Sequence, residues 1–416
     1  MAANGWPQAL LGKVSENFDR VRVPLSSRER EQRRGPIPYY GAAGVIDYVN
    51  ESLLDGTYLL VGEDGSVETD SGRPVLQLTN GRFWVNNHAH VLRGRTIEET
   101  RFLYYALSTV GIHEYLSGSV QPKLTQENLN RVEVPYPAER ERVTIARVLG
   151  SLDDKIELNR RMNRTLEQIA QALFKSWFVD FDPVRAKAEG RWKKGESLPG
   201  MPADMWALWP SEFEDSEIGE IPKGWEIGGL GTVASCTRDL VDPSEIDPEL
   251  RYVGLEHIAP RSLSLWNWGR VGDTVSGKAR FKQGEILFGK LRPYFHKVCI
   301  PAFDGVASTD ILTVSPKTSD WFAFTLGHLD SDALVDYVTA ASNGTKMPRT
   351  SWQDLAGWQV ALPLSETAGA LTRLTNPLFS KMAESIEEVG TLSSTRDALL
   401  PKLLSGEIRV PVNGGK

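Results

Sequence analysis

The chain has 416 residues, 41% of them apolar, and its 54 acidic and 47 basic side chains leave a net charge of −7. That balance fits two or three folded domains and excludes both a disordered chain and one coated in positive charge for nucleic acid. Cys236 and Cys299 lack CxxC spacing, which excludes a disulfide framework and a thiolate metal site, and no apolar run suits a signal or a membrane span, so the expectation is a cytoplasmic protein.

Residues 1–138 read as a mixed α/β block. The β-prone runs TYLLVG (57–62), RFWVNN (82–87) and HVLRG (90–94) are punctuated by turn residues at 63–66 and 80–81, and a helix is expected over 97–116 after Thr96. Residues 139–182 change period. Ile145, Leu149, Leu152 and Ile156, then Leu166, Ala170, Leu173 and Trp177, fall at steps of four and three, and the two polar positions in that series are Asn159 and Asn163. This is a coiled-coil seam, in which buried Asn fixes register at some cost in stability. A partner helix is therefore expected.

Residues 183–222 are rich in Gly, Pro and acidic residues and read as a connector, although Trp192, Trp206 and Trp209 call for something to pack against. Residues 223–364 form a second block, with strands expected in LRYVGLEHI (250–258) and EILFGKLRPYFHKVCI (285–300) and a helix over 321–341. Residues 365–407 carry a second seam through Leu378, Met382, Leu392, Leu399 and Leu403, made less regular by Thr375, Ser385 and Arg396, and 408–416 are a tail. From Gly118 through the first seam helix the chain matches its second half without gaps at an offset of 226, including Gly118/Gly344, Pro122/Pro348, Leu129/Leu355, Val134/Val360, Leu166/Leu392 and Leu173/Leu399. A shorter echo pairs Trp6 with Trp225 and Leu11 with Leu230. The chain is thus an internal duplication of a globular block followed by a long helix, an α/β fold with two antiparallel seam helices.

Catalytic signatures are missing. GRWKKGES (190–197) has Walker A glycine spacing, but Glu196 stands where a phosphate-binding Lys is needed, and neither a nucleophile elbow nor a methyl-donor glycine turn occurs. His88 and His90 alone are a weak metal signal, so no metal or other cofactor is expected. What remains suits a duplex. Residues 278–297 hold six basic side chains against Glu285, and an N-terminal arm carries Arg28, Arg30, Arg33 and Arg34. The candidates for DNA contact are Lys290, Arg292, Tyr294 and Lys297, the adenine-suited Asn86 and Asn87, and two matched loops, LSGSVQPKLT (116–125) with Ser119, Gln121 and Lys123 and ASNGTKMPRT (341–350) with Thr345, Lys346 and Arg349. A solvated basic face and a plain turn into the helix are the ordinary alternatives for these two features.

Several segments resemble the DNA-specificity subunits of Type I restriction-modification enzymes: PYYGAAGVIDYV, YLLVGEDGSV, NGRFWVNNHAHVL, ALFKSWFVDFDPVRAKAEG, GEIPKGWE, YVGLEHI and GEILFGKLRPYFHKV, in that order. The resemblance implies two target-recognition domains, each reading half of a split double-stranded site, held apart by two antiparallel helices. It also implies partners, namely methyltransferase subunits, two in number, and translocating restriction subunits, with chemistry belonging to them and specificity to this noncatalytic chain. The less regular second seam leaves the length of helix pairing open. A coiled-coil scaffold without DNA binding, an enzyme with a degenerate site and the subunit of a methylation-only system are the competing readings.

Overall fold

The computed structural model describes residues 5–118, 121–274, 276–341 and 347–410. By its internal contacts the chain divides into two units, Met1–Ile156 with Thr391–Lys416 and Glu157–Gly390. Among the described residues, no helix is long and apolar enough to cross a membrane.

The first unit holds two four-stranded sheets. One is antiparallel throughout, in the order Glu16–Asn17, Ala89–Arg93, Tyr58–Gly62, Leu76–Thr79; the other contains a single parallel pair, Arg34–Gly41 with Arg82–Val85. Strand Tyr58–Gly62 is buried on both faces, as a continuous apolar run requires. Thr96 caps the helix Ile97–Ser108, with its hydroxyl accepting from the Glu99 N–H. That helix ends eight residues before the expected 116, and a 3₁₀ turn, His113–Tyr115, follows.

The second unit repeats this plan. Its antiparallel four-stranded sheet runs Ala234–Thr237, Ile311–Pro316, Ile286–Gly289, Val298–Cys299, and its five-stranded sheet again has one parallel pair, Arg251–Val253 with Gly305–Ser308. The segment 285–300, expected as one strand, is two strands separated by a loop, because Pro293 ends the ladder and opens a 3₁₀ turn at Pro293–Phe295. The helix expected over 321–341 is two helices, Phe322–Leu329 and Asp332–Ala341. The duplication reaches individual hydrogen bonds. Leu11 N–H donates to Val132 O at 2.8 Å, and Leu230 N–H donates to Trp358 O at 2.9 Å. Thr125 and Ser351 cap equivalent short helices whose Leu129 and Leu355 are fully buried, each burial stabilising by about 1.5–3 kcal/mol.

The long helices are Glu139–Phe178 and Ser365–Ser405. In the first unit, Ile145 and Leu149 join Leu403 in one core, Leu399 packs against it, and Leu152 and Leu392 are half-buried. The irregular Arg396 donates to Asp153 Oδ1 at 2.8 Å, so a charge pair stands where an apolar seam residue would. Ile156 is buried at the end of this stretch. In the second unit, Asn159 Nδ2 donates to Glu388 Oε2 at 2.8 Å, and Asn163 Nδ2 donates to Met382 O at 3.1 Å and Ser264 Oγ at 3.2 Å. Within each unit, the residue numbers of the paired side chains run in opposite directions, so the helices are antiparallel there. Trp177 and Met382 are buried, while Leu166, Leu173 and Leu378 are half-buried. Glu167, also buried, accepts from Ser264 N–H at 2.9 Å and is pushed above the usual carboxylate range by burial. The stretch 183–222 belongs to this core. Trp192 and Trp209 are 2% and 3% exposed, and Trp209 packs edge-to-face against Trp177 and at a tilt against Trp225.

Candidate nucleic-acid interface

In both units the end of the central antiparallel strand is tied to the loop that leads into the capped helix. In the first, Glu63 follows strand Tyr58–Gly62; its N–H donates to His88 O, and Leu124 N–H donates to Glu63 O, each at 2.9 Å. In the second, Lys290 follows strand Ile286–Gly289; its N–H donates to Asp310 O at 2.9 Å, and Thr350 N–H donates to Lys290 O at 3.0 Å. The same backbone frame thus presents an acidic residue in one half and a basic residue in the other.

Around Glu63 the charges close on themselves. Arg22 Nη1 bonds Glu63, Lys123 Nζ lies 3.0 Å from Glu63 Oε1, and His90 contacts Asp19 through Nδ1 and Leu124 O through Nε2. Burial would raise Asp19 and Glu63, but the bonds from His90 to Asp19 and from Arg22 and Lys123 to Glu63 hold both below the usual range. Asp19, Glu63 and His90 come within 4.8 Å of one another, as metal ligands do. Arg22 and Lys123 already neutralise the two carboxylates, so this donor set does not fit a cation. Asn86 is 5% exposed, and its Oδ1 accepts from His88 N–H at 2.8 Å, which makes it a turn residue. Asn87 and Gln121 are exposed; Ser119 lies outside the described residues.

Around Lys290 the charges stay open. Among the described residues, neither Lys290 nor Arg292 has a carboxylate within 4.0 Å of its charged group. Arg292 is exposed and Lys290 half-buried, and Arg349 on the adjoining loop pairs loosely with Asp310 at 3.5 Å. Arg292 N–H donates to Pro348 O at 2.8 Å, which joins the two loops. Tyr294 is 50% exposed. Lys297 is committed instead to Leu255 O, at 2.5 Å from its ammonium. Lys278 is 1% exposed and bonds Ser276, so the run 278–297 is less cationic at its surface than its composition implies. Thr345 and Lys346 lie outside the described residues. In the N-terminal arm Arg30 pairs with Asp47 at 2.7 Å and Arg33 with Glu51 at 3.5 Å, while Arg28 and Arg34 are exposed.

Residues 9–168 match the family model of the Type I restriction modification DNA specificity domain. The MjaIX specificity subunit of Methanocaldococcus jannaschii is 28% identical over 96% of this chain and 95% of its own length. The EcoDI specificity subunit of Escherichia coli is 25% identical over 90% of this chain and 83% of its own. Over nearly its whole length the chain is similar to Type I restriction-modification specificity subunits. The fold agrees: a crystal structure of the Type I S subunit from M. genitalium superposes with a TM-score of 0.56 at 14% identity, covering 96% of both chains.

One exposed residue of the second unit escapes the sequence pattern. Phe295 alternates with Tyr294 and His296 and so reads as the inward face of a strand, yet it is 43% exposed beside Tyr294. The Arg292-Pro293 step was the available signal, because proline breaks a ladder and turns the chain. Arg292 and His296, on either side of this turn, adopt left-handed φ values of 51° and 50°, a conformation that costs of order 1–3 kcal/mol per non-glycine residue and persists only where the surroundings hold it. His296 supplies the hold: it is 4% exposed, its Nε2 lies 3.1 Å from Asp330 O and 3.2 Å from Asp330 Oδ1, and its Nδ1 lies 3.3 Å from Asp332 Oδ1 without hydrogen-bond alignment.

Proposed function

We propose that this chain is the noncatalytic DNA-recognition subunit of a Type I restriction-modification complex, with residues 1–138 and 223–364 each reading one half of a bipartite double-stranded site. It positions separate methyltransferase subunits, two of them, over their target adenines and brings in restriction subunits that move DNA, working in the cytoplasm and needing no cofactor of its own. The observation that supports this reading most is the repeated frame at Glu63 and Lys290. Two copies of one backbone arrangement, held by equivalent hydrogen bonds, display different side chains. A pair of readers with a shared scaffold and separate specificities needs that combination, because phosphate contacts position a protein while side chains at base edges specify sequence.

The test exchanges residues 223–364 for the matching block of a relative and maps methylated adenines in a host that supplies the modification subunits. One half of the modified sequence changes and the other persists. A hybrid that folds and assembles yet changes both halves removes the two-reader account.

A further inference from the structure

Building on the reading of residues 223–364 as a duplex-binding block, the loop 290–297 has a shape that phosphate contacts alone do not explain. Tyr294 and Phe295 stand side by side, with ring centroids 4.8 Å apart, and about half of each is exposed. Two neighbouring aromatic rings at a loop tip are costly in water unless something covers them. Their base is fixed. Pro293 is buried, Phe295 N–H donates to Arg292 O at 3.0 Å, His296 N–H donates to Pro293 O at 2.8 Å, and Arg261 N–H donates to His296 O at 2.9 Å. The adjoining loop adds Met347, 53% exposed, beside the Pro348 carbonyl that accepts from Arg292.

The charges beside the tip identify what covers it. Lys290 and Arg292 are unpaired among the described residues, and Arg349 spends only a 3.5 Å contact on Asp310. An apolar tip on a stiff loop, flanked by open cations, fits a polyanion whose interior is aromatic, and proteins that unstack a base step present apolar wedges in this way. We infer that Tyr294 and Phe295 form a wedge that enters the base stack at the half-site bound by residues 223–364, while Lys290 and Arg292 hold the phosphates beside it. The equivalent turn of the first unit, Glu63-Asp64-Gly65-Ser66, has neither aromatic ring nor open cation, and its Asp64 pairs with His88. Only one half-site is therefore wedged.

The test uses the full chain assembled with its modification subunits, on duplexes carrying 2-aminopurine at successive positions of the methylated sequence. Binding raises fluorescence at one step in the half-site assigned to 223–364, and the rise disappears in Tyr294→Ala/Phe295→Ala with about tenfold weaker binding, as loss of one stacked ring produces. Adenine flipping by the modification subunits also raises fluorescence, but at the methylated position, and survives the double substitution. Arg292→Ala keeps the wedge signal while lowering the salt dependence of binding. If the double variant binds with the wild-type signal and affinity, the wedge is refuted while sequence reading stands. If it instead fails to assemble with the modification subunits, the rings are a protein interface and the inference is again refuted. If the wild-type assembly shows no sequence-specific binding, the underlying recognition reading fails as well.

Discussion

Glu63 and Lys290 occupy the same place in two copies of one fold, yet the first is closed and the second open. Glu63 sits among Arg22, Lys123 and His90 and spends its charge inside the protein, whereas Lys290 and Arg292 have no carboxylate within 4.0 Å among the described residues. Position in a duplicated frame therefore fixes where a side chain goes but not what it is for. The companion charges decide that, and they lie far away in sequence: Arg22 and Lys123 reach Glu63 from 41 and 60 positions away, by subtraction of their numbers.

The largest effect expected from this contrast is on stability. Glu63→Ala removes the acceptor shared by Arg22 and Lys123 in a site where Glu63 is only 9% exposed; Lys123 can turn to water, but the largely buried Arg22 keeps only its 3.5 Å contact with Asp19 and its bonds to backbone carbonyls, at a cost of about 2 kcal/mol. Lys290→Ala at the equivalent place removes no partner and costs less than about 0.5 kcal/mol. Chemical denaturation of the two variants measures the difference. Equal losses would mean that the frame, rather than the companion charges, governs both sites.

The next effect is on binding, and it runs the other way. Replacing Lys290 and Arg292 together by Ala flattens the plot of log affinity against log salt by about one unit per lost phosphate contact, or up to about two units. Lys123→Ala leaves that slope unchanged, because the Lys123 ammonium is already paired with Glu63. Salt titrations of duplex binding by the assembled complex decide it. A change of slope with Lys123→Ala would show that the paired lysine turns outward to meet DNA.

Much of this architecture is legible in the sequence, for physical reasons that also mark where reading stops. The seam from Ile145 to Trp177 is visible because burial on a helix repeats every three or four residues, and the duplication is visible because turns, caps and apolar positions are local. Thr96 announces its helix by residue type alone. Tertiary partners leave no such trace. Nothing near Asn163 or Glu167 says that Ser264, 101 and 97 positions away, accepts from the first and donates to the second. Lys278 counts as positive charge in a composition and is buried in the fold. The tryptophans at 192 and 209 signalled packing but not its target, which is the core of the second unit.

The smallest effect concerns pH, where the two halves have opposite signs. Asp19 and Glu63 titrate below their ordinary values of 3.8 and 4.5, so their stabilising contribution is complete above those values and is lost as pH falls through the lower folded ones. His296 differs. Burial would depress it, but its hydrogen bond to Asp330 and the charges of Asp330 and Asp332 outweigh burial and the nearby Arg261, and raise it above 6.5. Its contribution is complete below about 6.5 and is lost as pH rises through the raised value. His296 holds the base of the turn that carries Arg292, Tyr294 and Phe295, so loss of its charge loosens that turn while the first unit is untouched. Duplex affinity of the assembled complex should fall about threefold between pH 6.5 and 8.5, the factor that ~0.6 kcal/mol produces. His296→Asn, which tolerates the left-handed backbone without titrating, should bind equally at both pH values. A fall of the same size in that variant would place the pH response elsewhere, and the turn would then be held by its backbone bonds rather than by the histidine's charge.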